Sequence, residues 1–157
     1  MKNILIVYYS RSGYTEKAVI KLAEVLGADV EKIVDLKNRQ GAWGFITGGK
    51  DATFKNITPI QANNFNPQDY EILIFASPTW ASVAAPAVRT YIGQHKAEFK
   101  KVAFLVSQGG ICNGKIFKDL EVLTGKSPLA TVDFSRSDLQ GNEWRSKLET
   151  FAESIKS

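Results

Sequence analysis

The chain has 157 residues, of which 44% are hydrophobic and 23% are charged, and its formal net charge is +4. Length and composition suit one globular domain, residues 1–157, and exclude a disordered chain. One cysteine and one histidine exclude an internal disulfide and a zinc site of nitrogen and sulfur ligands, and no apolar run is long enough to span a membrane. No secretory leader pattern is evident, so we expect a soluble cytoplasmic domain.

The excess of basic residues does not form a patch in the sequence. The densest group, from His95 to Lys101, also contains Glu98. Nucleic-acid-binding surfaces are continuous basic stripes, so we interpret these charges as solvated and expect neither a nucleic-acid nor a membrane partner. His95 is accordingly predicted to lie on the surface.

The first part of the chain predicts a strand, a helix and a second strand. The apolar run Ile4–Tyr8 is typical of a strand that is buried on both faces. A helical face follows, which Gly27 would end, and it comprises Ala18, Val19, Leu22 and Leu26. The next apolar positions alternate, as in an edge strand, at Val30, Val34 and Leu36.

Residues 37–69 are too many for a simple loop and carry four glycines, at positions 41, 44, 48 and 49. We predict a short helix around Asp51–Lys55 with irregular structure on both sides. The aromatic residues of this stretch would either cover one face of the sheet or border a ligand or partner surface; they are Trp43, Phe45, Phe54 and Phe65.

The remaining chain alternates regularly between strands and helices. Two further buried strands are predicted at Ile72–Ala76 and Val102–Val106, and an alternating edge strand at Ala130, Val132 and Phe134. The helix between the buried strands has Pro86 near its start and an apolar face of Ala85, Val88 and Ile92. The next helical face comprises Ile116, Phe117, Leu120 and Leu123. The last comprises Trp144, Leu148, Phe151, Ala152 and Ile155, after a predicted cap at Asn142.

Strands that alternate with helices predict a parallel sheet with helices on both faces. The order 2-1-3-4-5 places both edge-like strands at the edges of a five-stranded sheet. Ligands of such sheets bind beyond the carboxyl ends of the strands, at the point where the strand order reverses. The turns after the first, third and fourth strands are therefore the candidate binding loops.

The turn after the first strand contains three hydroxyls and a glycine at the start of a helix. Its residues are Ser10, Arg11, Ser12, Gly13, Tyr14 and Thr15. Free amides and the helix dipole favour an anion at such a position, and one cap needs only one hydroxyl. This turn is predicted to hold a phosphate. Arg11 is either a partner of that phosphate or exposed to solvent.

The two other turns fit the remainder of a flat, phosphorylated ligand. Pro78, Thr79, Trp80 and Ala81 follow the third strand, and an aromatic residue there could stack on a planar ring. Ser107, Gln108, Gly109 and Gly110 follow the fourth strand, and paired glycines let backbone amides approach a ligand. The three turns together predict one crevice for a planar heterocycle on a short phosphorylated chain.

These motifs make the chain resemble the short-chain members of the flavodoxin family, over nearly its whole length. The most specific part of the resemblance is Ser10-x-Ser12-Gly13-x-Thr15 combined with Ser77-Pro78-Thr79-Trp80. The resemblance implies an α/β flavodoxin-like fold and FMN as the cofactor. By the same resemblance, the first turn would bind the FMN phosphate, while the second and third turns would flank the isoalloxazine ring.

The function that the resemblance implies is electron transfer between redox partner proteins by a monomer, with no catalytic side chain. The alternative is an FMN-dependent NAD(P)H:quinone-type reductase, which would need an open ring face and a dimer. A third interpretation is a binding module that holds no flavin.

Two features depart from the family. Many flavodoxins are strongly acidic whereas this chain is basic, and the segment Ser107–Gly114 lacks both acids and aromatic residues. The lack of acids beside the cofactor predicts a less negative reduction potential. Cys112 lies near the proposed crevice and is predicted to be a packed residue, since no second cysteine or histidine is near it in sequence.

Overall fold

The structure is a computed structural model, and it describes residues 2–53, 55–61, 64–110 and 113–157. These residues form six strands: β1 (Lys2–Tyr8), β2 (Asp29–Lys32), β3 (Tyr70–Trp80), β4 (Val83–Ala84), β5 (Lys101–Gln108) and β6 (Thr131–Ser135). The α-helices are α1 (Tyr14–Leu26), α2 (Gly41–Thr53), α3 (Pro86–His95), α4 (Lys115–Thr124), α5 (Arg136–Gln140) and α6 (Trp144–Lys156). Within the described part of the chain, no helix has the length and apolar character needed to cross a membrane.

The predicted strand order is confirmed. The parallel strands lie in the order β2-β1-β3-β5-β6, which is the expected 2-1-3-4-5 order of five parallel strands. The register aligns Ile6 of β1 with Ile74 of β3, and Ile74 with Ala103 of β5. A sixth strand that we did not predict, β4, turns back antiparallel on the end of β3.

The sheet separates two apolar cores, because successive side chains of a strand point to opposite faces. Leu5 and Val7 of β1 face one core, where α3 and α4 contribute Val88, Ile92 and Leu120. Ile4, Ile6 and Tyr8 face the other, where α1 and α6 contribute Leu22 and Leu148. Because both faces are covered, the central strands are continuous apolar runs, which is the reason that sequence patterns located them.

The second predicted strand is wrong beyond Lys32. Val34 and Leu36 are 40% and 60% exposed and do not belong to β2. Leu36 instead donates its backbone N–H to the carbonyl of Pro59, and Gln61 donates to the carbonyl of Val34. The alternation of apolar residues therefore belongs to a short antiparallel contact with residues 59–61, not to the sheet edge.

The helix predicted around Asp51–Lys55 is also wrong in its bounds. The structure forms α2 over Gly41–Thr53. Gly44 and Gly48 are buried on one face, and a Cβ at Gly48 would lie 2.9 Å from the ring of Trp80. These glycines permit close packing of a helix, so their low helix propensity is overridden by tertiary contacts.

Of the aromatic residues of this stretch, Phe65 covers one face of the sheet as the first interpretation predicted, and Trp43 does not. Phe65 packs on Tyr70 with ring centroids 6.3 Å apart, whereas Trp43 is 75% exposed. Phe54, Cys112 and the side chain of Phe45 lie outside what the structure describes, so the predictions for them stay predictions.

Two smaller predictions are corrected. Asn142 does not cap α6. The N-cap residue of that helix is Glu143, which makes no capping hydrogen bond with its side chain. His95 is half-buried, because its ring packs on Tyr91 at 4.7 Å and its Nδ1 lies 2.9 Å from the Glu98 carboxylate.

Candidate functional site

The turns after β1, β3 and β5 meet at the carboxyl edge of the sheet and enclose a cavity of about 230 Å³, which we call the main cavity. The described residues that line it are Ser10, Arg11, Ser12, Tyr14, Thr15, Pro78, Thr79, Trp80, Ser107, Gln108, Gly109 and Arg136. All sequence-predicted site residues line it except Gly13, Ala81 and Gly110, which belong to the same turns. The structure therefore brings the three candidate loops together.

The first turn leaves the N-terminus of α1 open. Gly13 is the N-cap residue with φ of 93°, a left-handed conformation that favours glycine, and no side chain of a described residue caps the helix. The hydroxyl of Ser10 accepts the N–H of Gly13 at 3.1 Å, and Ser12 is exposed. Since the first amides of a helix have no partner within the helix, the turn presents donors and a positive dipole end to the cavity.

A buried pair of hydroxyls joins the first turn to the third. Thr15 Oγ1 and Ser107 Oγ are 2.7 Å apart, and both residues are nearly inaccessible to solvent. A hydroxyl has one O–H to donate, so the hydroxyl that accepts within this pair keeps its own O–H for a ligand oxygen. The pair therefore joins the first turn of α1 to the carboxyl end of β5.

Trp80 is held in place from two sides. Its ring meets that of Tyr9 edge to face, with centroids 5.6 Å apart and planes at 89°. Gly48 of α2 lies against the same ring, as described above. Burial and then the Asp35 carboxylate raise the pKa of Tyr9 to about 12, so Tyr9 remains a neutral packing partner at physiological pH.

The residues after Trp80 form a tight turn of two residues between β3 and β4. Ala81 and Ser82 have φ values of 50° and 65°, in the left-handed region that side chains rarely adopt. Asn113 Nδ2 donates to Ser82 Oγ at 3.3 Å, which connects this turn to the segment after β5. Backbone strain of this kind persists where surrounding contacts over-determine it, and here the pairing of Trp80 with Val83 and the Asn113 contact hold the turn.

Thr79 has a buried hydroxyl that lacks a hydrogen-bond partner among the described residues. Buried polar groups are nearly always hydrogen-bonded, so an unpaired hydroxyl on a cavity wall indicates a polar ligand atom. The hydroxyl of the neighbouring Ser77, by contrast, is paired: it accepts the N–H of Ala85 at 3.0 Å and donates to the carbonyl of Pro78 at 2.8 Å.

The third turn has a polar contact that the sequence did not indicate. Gln108 Nε2 donates to Asp133 Oδ2 of β6 at 3.2 Å. A carboxylate therefore lies behind the third turn, although the turn itself contains none. Gly109 lines the cavity, and both Gly109 and Gly110 are exposed and have open space where a Cβ would be.

Arg136, the first residue of α5, is the cavity residue that sequence reasoning missed. Its guanidinium carbon lies 4.9 Å from the ring centroid of Tyr14, and the Tyr14 hydroxyl accepts from Gln140 at 3.2 Å. Arg136 directly follows the carboxyl end of β6. The rule that ligands bind beyond the carboxyl ends of parallel strands could therefore have located it.

A second cavity of about 400 Å³ adjoins the main one and shares Ser10 and Arg11 with it. Its charged groups largely neutralise one another: Lys32 lies 3.0 Å from Glu16, and Arg39 Nε lies 3.0 Å from Asp35. Hydrogen bonds from Tyr8 and then Lys32 hold the pKa of Glu16 below its usual value. We therefore take the main cavity, with its open helix terminus and unpaired hydroxyl, as the candidate ligand site.

The same architecture occurs in solved flavoproteins. A flavoprotein of Lactobacillus acidophilus NCFM in complex with FMN superposes with a TM-score of 0.72 at 20% sequence identity, over 97% of this chain and 99% of that one. A Fusobacterium nucleatum flavodoxin bound to FMN gives 0.62 at 14% identity, over 99% and 98%. Oxidised flavodoxin 2 of Bacillus cereus gives 0.59 at 17% identity, over 98% and 97%.

These likenesses establish that the chain has the flavodoxin fold, as the sequence predicted. No protein-family model matches the chain, and no curated protein matches it significantly.

Proposed function

We propose that this chain is an FMN-binding electron-transfer protein that carries electrons between redox partner proteins. The observation that carries the proposal is the unpaired, buried Thr79 hydroxyl, which lies on the wall of the main cavity beside Trp80. Leaving such a group unpaired costs about 1–3 kcal/mol, which a polar edge of a bound heterocycle would offset. The FMN bound to two solved proteins of the same fold supports the choice of ligand.

The residues of the main cavity fit the two halves of FMN. The phosphate would be held by the amides of α1, the hydroxyls of Ser10, Ser12 and Thr15, and the cations Arg11 and Arg136. The heterocycle would lie against Trp80 and Thr79, with the Ser107–Gly110 turn on its polar edge. When bound, FMN supplies the electron-transfer chemistry, so we assign no catalytic side chain.

The test is binding itself. The purified apoprotein is titrated with FMN, riboflavin and FAD, and binding is followed by the quenching of flavin fluorescence. We expect one FMN per chain and weaker binding of riboflavin, because riboflavin lacks the phosphate. Protein that stays colourless after incubation with FMN would overturn the proposal.

One observation favours a second candidate, an FMN-dependent NAD(P)H:quinone-type reductase. Arg11 also lines the second cavity, where it would attract the phosphates of a pyridine nucleotide bound beside FMN. Anaerobic mixing of the FMN-loaded protein with NADPH separates the candidates. Slow bleaching of the flavin absorbance supports the carrier, and rapid bleaching supports the reductase.

Trp80→Ala is expected to weaken FMN binding about fivefold, since an aromatic stacking contact contributes about 1 kcal/mol. Trp43→Ala is the matched control, because Trp43 is 75% exposed on the outer face of α2. Fluorescence titration of both variants checks the assignment. Equal FMN affinities in the two variants would show that the ring is bound elsewhere.

Arg136→Gln is expected to weaken FMN binding about fivefold, as for a solvent-screened charge contact of about 1 kcal/mol, and to leave riboflavin binding unchanged. Arg145→Gln removes the same charge from α6, outside the described lining of the main cavity. Parallel titrations with both ligands measure the difference. A loss of riboflavin affinity as large as the loss of FMN affinity would contradict a phosphate contact.

A further inference from the structure

Cations outnumber acids in the loops at the carboxyl edge of the sheet. From the end of each parallel strand to the first residue of the next helix, the chain contains the five cations Arg11, Lys37, Arg39, Lys115 and Arg136 and a single acid, Asp35. Arg39 is bound by Asp35 and Asp51, at 3.0 and 2.7 Å, and Lys37 lies 3.3 Å from Asp51. The charges of this cluster cancel, so the positive charge of these loops, which we call the rim, comes from the remaining cations Arg11, Lys115 and Arg136. Asp138 in the first turn of α5 offsets only part of this charge.

An apolar helix face lies directly beside this rim. Trp43 and Ile46 are one turn apart on α2 and are 75% and 58% exposed, and the exposed Lys50 follows on the same side. The opposite side of α2, at Gly44 and Gly48, is buried. Isolated apolar residues on a surface are ordinary, but an exposed tryptophan and isoleucine on one turn form an anchor of the kind found at protein interfaces.

The helix runs along the crevice. At its start, the side-chain amide of Gln40 donates to the carbonyl of Arg11 at 3.3 Å. Farther along, Gly48 packs against the ring of Trp80. At the far side of the Trp80 turn, the Asn113–Ser82 hydrogen bond brings Lys115 to the same rim. The positive rim and the outer face of α2 are thus one continuous surface around the cavity mouth.

We propose that this surface is the docking site of an acidic redox protein. The inference rests on the proposed function, since it concerns the partner that exchanges electrons with bound FMN. A partner with an acidic rim and an apolar centre complements a positive rim beside Trp43 and Ile46, and attraction between such surfaces accelerates association. A second copy of this chain would place two positive rims together, and like charges in contact disfavour that pairing.

The experiment measures electron transfer from the FMN-loaded, dithionite-reduced protein by stopped-flow mixing with two haem proteins. Cytochrome b5 serves as the acidic acceptor and cytochrome c as the basic one. We expect the rate constant with cytochrome b5 to fall as ionic strength rises from about 10 to 200 mM, because salt screens the attraction. The rate constant with cytochrome c should rise over the same range.

Two variants locate the surface. The double variant Lys50→Gln/Lys115→Gln, whose residues are outside the described lining of the main cavity, is expected to slow reduction of cytochrome b5 about three- to tenfold at low salt. The control Lys21→Gln/Lys101→Gln removes the same total charge from the outer part of α1 and the opposite edge of the sheet, and should change the rate less than about twofold. Trp43→Ala should slow the reaction at both high and low salt while FMN affinity is unchanged.

Equal rates for the two double variants, or a rate constant with cytochrome b5 that does not fall as ionic strength rises, would overturn the docking proposal alone. A stable dimer that Trp43→Ala dissociates would assign the face to a second copy and overturn it as well. Protein that retains no FMN would instead overturn the proposed function, and the docking proposal with it.

Discussion

Asp119→Ala is expected to lower the free energy of unfolding by about 3–5 kcal/mol, the largest effect that we predict for a single substitution. Asp119 Oδ2 lies 2.6 Å from Arg89 Nη2, and the two side chains are only 6% and 8% exposed. Removing the carboxylate leaves the Arg89 guanidinium buried without its counter-charge. The same oxygen accepts the N–H of Ala84 at 3.0 Å, so a buried amide also loses its partner. Urea denaturation of the apoprotein measures the loss.

The ion pair also bears on the ligand site. Ala84 lies opposite Thr79 in the β3–β4 hairpin, and that hairpin carries Trp80 into the cavity wall. Asp119→Ala should therefore weaken FMN binding in addition to destabilising the fold. Asp119→Asn keeps an acceptor for the Ala84 amide and is the control that separates loss of charge from loss of the hydrogen bond. A change in stability below about 1 kcal/mol would show that this pair behaves as a solvent-exposed one.

The strand order was predictable from the sequence because of burial. β1, β3 and β5 are covered by helices on both faces, so each is a continuous apolar run that no amphipathic helix would produce. The site loops followed from the strand order, since ligands of such sheets bind at the carboxyl ends. That rule needs only the ends of the strands, which apolar runs define well.

The contacts that shape the site were not predictable, because they join distant parts of the chain. Thr15 and Ser107 are 92 positions apart, and no local pattern indicates that their hydroxyls meet. The hydrogen bond between Gln108 and Asp133 is a second contact of this kind, and it bears on the predicted reduction potential. The prediction of a less negative potential assumed no acid beside the third turn, whereas a neighbouring strand supplies one.

In the α2 region a local pattern is present in the sequence, but it indicates helix packing and not the turns that glycines usually indicate. Glycines usually indicate turns, and four of them in residues 41–49 concealed a helix. Gly44 and Gly48 are four positions apart and therefore share a face, the spacing that lets a helix approach its neighbours closely. The periodicity of the glycines, not their number, was the informative feature.

Gly44→Ala and Gly49→Ala are expected to change stability in opposite directions, which tests this interpretation of α2. A Cβ at Gly44 would lie 2.0 Å from the carbonyl carbon of Arg39, a backbone atom that cannot move aside without displacing the buried Arg39 side chain. We expect Gly44→Ala to lower the free energy of unfolding by about 2–3 kcal/mol, the range for overpacking a tight contact. At Gly49 a Cβ meets nothing within 4 Å, and alanine should raise stability by about 0.5–1 kcal/mol through helix propensity.

Urea denaturation of both variants gives the two values, and far-UV circular dichroism reports whether the helix persists. Both substitutions exchange glycine for alanine within one helix, so propensity alone predicts the same gain for each. Only close packing of the Gly44 face against residue 39 separates them. Equal stabilisation by the two alanines would mean that α2 does not pack on the loop after β2. The outer face of α2 would then not be held beside Arg11, as the proposed docking surface requires.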